Sequence, residues 1–382
     1  MTNEPRAPRI AVLAATSGHS GVDRIIANLV TQWSAWGLDV DLLQIRQHGP
    51  DIPNLPDGVR RVDLGTAHVN TALPALIRYL RRERPAALLT DKDRVNRIAI
   101  LARRLAGIQS DTRLLVRLGT TVSVNLASRS RLERALQGAS IRYLYRLADG
   151  IIVPSAGVAA DLSEHYGVDP ARIHVCPSPV VSAELRTLAA APAAHPWLRP
   201  GEPPVILGVG ELSARKDFET LLQAFAQVRA HRRCRLIILG RGRRRERLLA
   251  LAESLGVAQD TDLAGFKTNP YAFMSRAALF ALSSRWEGLG IVIVEALACG
   301  TPVVSTDCPS GPREILDDGP HTRLVPVGDV TALARAMDQA LAAPTDPATL
   351  RRRTKAFSIE ASARAYLQAL GIETSALGEP PG

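Results

Sequence analysis

Two carboxylates eight positions apart, Glu287 and Glu295, flank Gly288 and Gly290 in "RWEGLGIVIVEALACG", directly after the apolar run "AALFALSS". Glycines allow a tight turn and close backbone approach. A helix beginning near Leu289 would present unpaired backbone N–H groups to a phosphate. A carboxylate at the mouth of that helix can accept hydrogen bonds from sugar hydroxyls. One further in can hold both ribose hydroxyls, as acidic residues do in dinucleotide sites. Lys216, preceded by Arg215, follows another apolar run, "PVILGVG", and the turn at Gly210 and Glu211. The chain has only four lysines (Lys92, Lys216, Lys267 and Lys355) among 47 basic residues, and this one is placed to reach a ligand. An ammonium group together with peptide amides would stabilise the charge of a leaving diphosphate. The competing roles are a helix-cap acid for Glu287, a surface salt bridge for Glu295 and a solvated loop position for Lys216.

The surrounding elements alternate. "RIAVLAAT" reads as a buried parallel strand. "SGHSG" follows, carrying Gly18, His19 and Gly21, and is not a G-x-G-x-x-G fingerprint. Ile25, Ile26, Leu29, Val30 and Trp33 then have helical spacing, and "DVDLLQI" resumes as a strand. Strands over 86–90, 113–118 and 150–155 alternate with helices near 94–106 and 129–148. The Ala/Pro-rich segment 189–203 carries no periodicity and is expected to be a linker. After it the alternation restarts, with strands at 204–210, 234–240, 261–265, 277–284 and 301–306. Two such sets give an α/β protein of two Rossmann-like domains, expected to face a central cleft. The expected divisions are a domain at 1–188, the linker 189–203, a second domain at 204–355, a helix at 356–371 returning to the first domain, and a disordered tail at 372–382.

The chain has 382 residues, 46% hydrophobic and 22% charged, and a formal net charge of +10. Residues 1–190 hold 24 Lys and Arg against 17 Asp and Glu, so the first half is the basic one. That suits an anionic partner. Few aromatics and no recognisable module argue against nucleic acid. No apolar run reaches the roughly 18 residues of a membrane span, and "MTNEPRAPR" lacks the apolar stretch of a signal peptide. The expected location is the cytoplasm. The four cysteines, Cys176, Cys234, Cys299 and Cys308, form no C-x-x-C pair and match no zinc spacing.

The 283–316 segment resembles glycosyltransferase family 4, with its E-x7-E motif inside an "EGxG…EAxAxGxPVV" frame. The likeness extends to "GELSARKDFETLLQAF", "LGRGRRRERL", "AGFKTNPYAFMSRA" and "LVPVGDVTALARAM". It implies the GT-B fold and retaining transfer of a hexosyl or N-acetylhexosaminyl group from a nucleotide-diphosphate sugar, UDP-linked in preference to GDP-linked. No metal or other cofactor is implied. Glu287 would contact the donor sugar, Lys216 and Arg215 would take the diphosphate, and Glu295 the ribose. Gly18, Gly21, Gly210, Glu211, Gly240, Phe266, Gly288, Leu289, Gly290 and Ile291 would complete the donor site.

Two positions depart from the family pattern. Glu211 stands where Arg is usual, with Arg215, Arg241 and Arg243 nearby to compensate. The His common after the 113–118 strand is replaced by Gly119, Thr120 and Thr121, which leaves Arg117, Thr120, Thr121 or His19 for its task. The resemblance implies a lipid-linked saccharide or glycan acceptor at the N-terminal domain, near Asp93 and Asn96, in polysaccharide or glycoconjugate assembly. The basic amphipathic stretch 128–150 suits an anionic membrane surface, giving a peripheral position on the inner face of the plasma membrane. The other readings are a non-catalytic subunit of a polysaccharide-assembly complex and a nucleotide-sugar epimerase.

Overall fold

A computed structural model describes residues 8–15, 21–45, 52, 55–127, 129–316, 322–343 and 345–374. The chain forms two compact units. The first holds seven strands: β1 (Ile10–Ala14), β2 (Val40–Gln44), β3 (Val59–Asp63), β4 (Ala87–Asp91), β5 (Arg113–Arg117), β6 (Gly150–Val153) and β7 (Ile173–Val175). The second holds six: β8 (Val205–Val209), β9 (Arg235–Leu239), β10 (Thr261–Gly265), β11 (Leu279–Leu282), β12 (Val303–Thr306) and β13 (Thr322–Val325). Every pairing is parallel, in the orders β3-β2-β1-β4-β5-β6-β7 and β10-β9-β8-β11-β12-β13. Runs such as "IAVLA" and "VILGV" suit this arrangement, because helices cover both faces of a parallel sheet and no residue is left to face water.

Each sheet reverses its winding once, between β1 and β4 in the first unit and between β8 and β11 in the second. Connections diverge at such a point and leave a crevice beyond the carboxyl ends of the strands. The register there is tight, with Ala14 opposite Asp91 and Phe280 opposite Leu207.

The chain enters the second unit at Val180, and the Ala/Pro-rich stretch expected as a linker belongs to that unit. Leu185 is buried there, and Trp197 and Leu198 pack against the same core. The helix Ile359–Leu370 is part of the first unit. Its Ala363, Tyr366, Leu367 and Leu370 join the core around β1 and β2, and Trp33 donates its indole N–H to the Ala363 carbonyl at 3.2 Å.

The helix expected over 129–148 is segmented. A helix over Arg131–Ala139, opened by a Ser130–Glu133 capping box, passes into a wider turn at Ser140–Leu144 and a tighter one at Tyr145–Leu147. Its expected apolar side divides. Ile141 is buried, whereas Leu132 and Leu136 are 68% and 55% exposed. Helical spacing places those leucines on one face, but only the end anchored by Tyr145 meets the core.

Candidate active site

The second unit's crevice is built from the residues that follow β8, β9 and β11. After β8 the chain turns at Gly210 and runs to Arg215, Lys216 and Asp217 before the helix Phe218–Arg229. After β11 it runs through Ser283 to Glu287 and reaches the helix Ile291–Cys299, whose N-cap is Gly290 at φ +81°. That left-handed conformation favours glycine. Gly240 closes β9 at φ +147°, and a Cβ there would lie 1.8 Å from the Gly210 carbonyl oxygen, so the two turns can meet only with glycine at 240.

Three hydrogen bonds sew the two main loops together, and a fourth, from Thr220, steadies Asp217 within its own segment. The Arg285 amide donates to the Arg215 carbonyl at 2.8 Å, and Ser283 Oγ donates to the Lys216 carbonyl at 2.9 Å. Arg285 Nε and Thr220 Oγ1 each donate to Asp217 Oδ2 at 2.9 Å. Asp217 is 1% exposed and sits at φ +47°. A left-handed non-glycine residue is strained, and this one is held by its bonds on both sides.

Within that frame Glu287 collects three donors. Lys216 Nζ reaches Oε1 at 2.7 Å, Ser284 Oγ reaches Oε1 at 2.7 Å, and Arg215 Nη1 reaches Oε2 at 2.7 Å. Lys216 and Glu287 are 6% and 5% exposed. Burial pushes the Glu287 carboxyl up, but the Lys216 and Arg215 charges outweigh it and hold the group below the usual glutamate range. The side-chain cluster carries one net positive charge at neutral pH. Burial, with Glu287 adding to it, raises the nearby Cys308 thiol to about 12, which keeps it protonated.

Glu295 is 2% exposed and accepts from the Tyr271 hydroxyl at 3.2 Å, so it is not a surface salt bridge. It lies little more than one turn inside the helix, since that helix starts at Ile291. Gly288 and Leu289 are buried beside Glu287. Glu211 is exposed, and Phe266 is 47% exposed under the Arg241 guanidinium, 5.5 Å from its ring centre. Ser283, Ser284, Asp217 and Arg285 were not singled out from the sequence. The serine pair directly after an apolar strand was the available signal.

In the first unit, Gly18 and His19 lie outside the described residues, and Gly21 begins the helix Gly21–Ala35. Asp93 begins the helix after β4, where Tyr145 Oη donates to it at 3.0 Å and Arg97 pairs with it at 3.1 Å. Burial raises its carboxyl above the usual range. Asn96 is fully buried, accepting from Thr90 Oγ1 at 2.8 Å and donating to the Arg117 carbonyl at 3.0 Å. Arg117 is also buried, with Asp91 at 2.5 Å and the Tyr366 hydroxyl at 2.9 Å, so its guanidinium fastens the helix Ile359–Leu370. Thr120 is half-buried and Thr121 buried. Among the described residues no group of three or more His, Cys, Asp or Glu is gathered to hold a metal ion. None of their helices is long and apolar enough to cross a membrane.

Two Rossmann-like units, with a carboxylate–ammonium cluster at the switch point of the second, define a protein of the GT-B fold. Residues 20–179 match the glycosyl transferase 4-like domain and residues 193–357 the glycosyl transferases group 1 domain. Both halves of the chain thus match glycosyltransferase domains. It is 31% identical over 245 residues to the N-acetylgalactosamine-N,N'-diacetylbacillosaminyl-diphospho-undecaprenol 4-alpha-N-acetylgalactosaminyltransferase of Campylobacter jejuni, covering 64% of each chain. It is 37% identical over 176 residues to the lipopolysaccharide core biosynthesis glycosyltransferase LpsE of Rhizobium meliloti, covering 45% of this chain and 51% of that one. The chain thus spans less than two thirds of either relative. Among solved structures, the lipopolysaccharide outer core galactosyltransferase WaaB superposes with a TM-score of 0.73 at 17% identity, over 95% of this chain and 99% of that one. Anabaena HepE in complex with UDP superposes at 0.71 and 17%, with the same coverage.

Proposed function

We propose that the protein is a retaining glycosyltransferase that moves a hexosyl or N-acetylhexosaminyl group from a nucleotide-diphosphate sugar, UDP-linked in preference to GDP-linked, to a lipid-linked saccharide or glycan. The Lys216–Glu287–Arg215 cluster, with Lys216 and Glu287 buried, carries the reading. It combines one net positive charge, for a diphosphate, with a carboxylate, for sugar hydroxyls, at the mouth of a helix whose free N–H groups favour an anion. The bond from the anomeric carbon to the β-phosphate oxygen breaks, and the acceptor oxygen takes its place on the same face. The acceptor's proton passes to the departing phosphate oxygen. Lys216 and Arg215 stabilise the charge that develops there. Glu287 orients the sugar, and Glu295 holds the ribose.

The UDP carried by HepE and the diphospho-undecaprenol in the Campylobacter enzyme's name support the choice of donor and acceptor. The site needs no metal ion in this scheme, and the expected setting is the inner face of the cytoplasmic membrane. A thermal-shift screen across UDP, GDP, ADP and their sugars tests the reading. Stabilisation by UDP and UDP-sugars above the others is expected. No shift with any nucleotide would refute it.

A further inference from the structure

The helix Phe218–Arg229 starts in a way that gives up local stability. Asp217 is its N-cap, yet it sits at φ +47° and its carboxylate accepts from no backbone N–H of the first turn. An aspartate at an N-cap ordinarily takes extended backbone and accepts from the second or third helical N–H. Two others in this chain do so. Asp329 at φ −80° accepts from the Ala332 amide, and Asp346 at φ −65° from those of Ala348 and Thr349. Of the described non-glycine residues at positive φ, Arg84, Lys92 and Asp217, only Asp217 is buried. Strain of this kind persists where the surroundings impose it, and it gathers at functional sites.

The carboxylate withheld from the helix goes to the neighbouring loop. Arg285 Nε donates to Asp217 Oδ2 at 2.9 Å. Lys216 Nζ, one residue earlier, donates to Glu287 Oε1 at 2.7 Å, two residues further along that loop. The backbone between is tied down as well, by the Arg285 amide on the Arg215 carbonyl and by Ser283 Oγ on the Lys216 carbonyl. The Arg285 side chain is 56% exposed against 2% for Asp217. The pair therefore does little to order Arg285 in a core. What it fixes is its buried end, directly beside Lys216.

We propose that Asp217, clamped by Arg285, is a positioning residue that sets the direction from which the Lys216 ammonium meets Glu287 and the donor diphosphate. The proposal rests on the glycosyltransferase reading for the diphosphate, whereas the clamp itself concerns only how Lys216 meets Glu287.

Asp217→Gly tests it. Glycine takes the left-handed turn without strain but does not enforce it, and it removes the acceptor for Arg285. Donor turnover, measured well below the melting temperature, should fall about tenfold. The loss should lie in kcat rather than KM, because Lys216 acts on charge that develops in the transition state. A merely structural role would lower the melting temperature and leave the kcat of the folded enzyme as it was. Arg285→Ala should reproduce the fall in kcat and add nothing to Asp217→Gly. In a Lys216→Met background Asp217→Gly should cost nothing further. A second measurement needs no donor. The coupling between Lys216 and Glu287 in urea unfolding, from a double-mutant cycle, should fall by about half or more with glycine at 217. Wild-type kcat in Asp217→Gly, a loss that persists in the Lys216→Met background, or undiminished coupling would overturn the proposal. So would a further loss from Arg285→Ala on top of Asp217→Gly, which would put that guanidinium on the donor. Turnover and coupling both unchanged would sink the clamp and leave the glycosyltransferase reading standing. Coupling lost at Asp217→Gly, in a protein whose wild type turns over no nucleotide sugar, would do the reverse.

Discussion

Lys216→Met is the sharpest perturbation of the proposed donor site. The aliphatic stem of Lys216 lies over Gly210, where a Cβ would meet Lys216 Cε at 2.8 Å. Methionine keeps that packing and removes the charge. Glu287 would keep Arg215 and Ser284 as donors at 2.7 Å each, so the loss should fall at the low end for a broken buried pair, about 3 kcal/mol. For a unit of this size that is roughly 6–12 °C in melting temperature. Glu287→Gln leaves Lys216 and Arg215 as neighbouring like charges and should cost about 3–5 kcal/mol. The double variant Lys216→Met/Glu287→Gln buries neither an unpaired acid nor an unpaired ammonium. It should be more stable than the sum of the single losses by about 2 kcal/mol. Turnover should fall by about 10²–10³ in each single variant and should not recover in the double. Urea unfolding of the four proteins gives the coupling, and donor turnover gives the rate. Additive stability losses, or turnover in Lys216→Met within about threefold of wild type, would refute a buried ion pair that also serves the diphosphate.

Arg117→Met strands Asp91 and the Tyr366 hydroxyl in the first unit's core, and should cost about 3–5 kcal/mol. Amide hydrogen exchange should rise across 359–370, and unchanged exchange there would show that Arg117 does not fasten the helix. The Glu287 carboxyl titrates below its usual 4.5 in the folded protein. Its contribution to stability is therefore present above about pH 4.5 and lost as the pH falls through the depressed value. Wild type should accordingly lose its stability advantage over Glu287→Gln as the pH falls below about 4.5 and through the depressed value, read as converging urea midpoints. A constant gap would contradict the lowered value.

The class of fold and the loop residues that gather after β8 and β11 were legible in the sequence because both depend on short-range pattern. Uniformly apolar runs of about five residues specify buried parallel strands. Glycines at 210, 240 and 290 mark turns whose backbones must come close or turn left-handed. A carboxylate beside such a turn reads as functional without knowing what lies across the sheet. Tertiary structure decided what those residues touch. Lys216 and Glu287 are 71 positions apart, and they meet because β8 and β11 are neighbours where the sheet reverses, a consequence of winding that no local window contains. The same holds for Arg117, which has the composition of a site residue but is buried against Tyr366, 249 positions away. It holds too for Arg94 and Arg97, which helical spacing shows only as a basic face, yet which line a hollow beside an apolar groove. Sequence determines which chemistry is available, whereas the order of the strands determines which groups share a dielectric environment and so which charges pair.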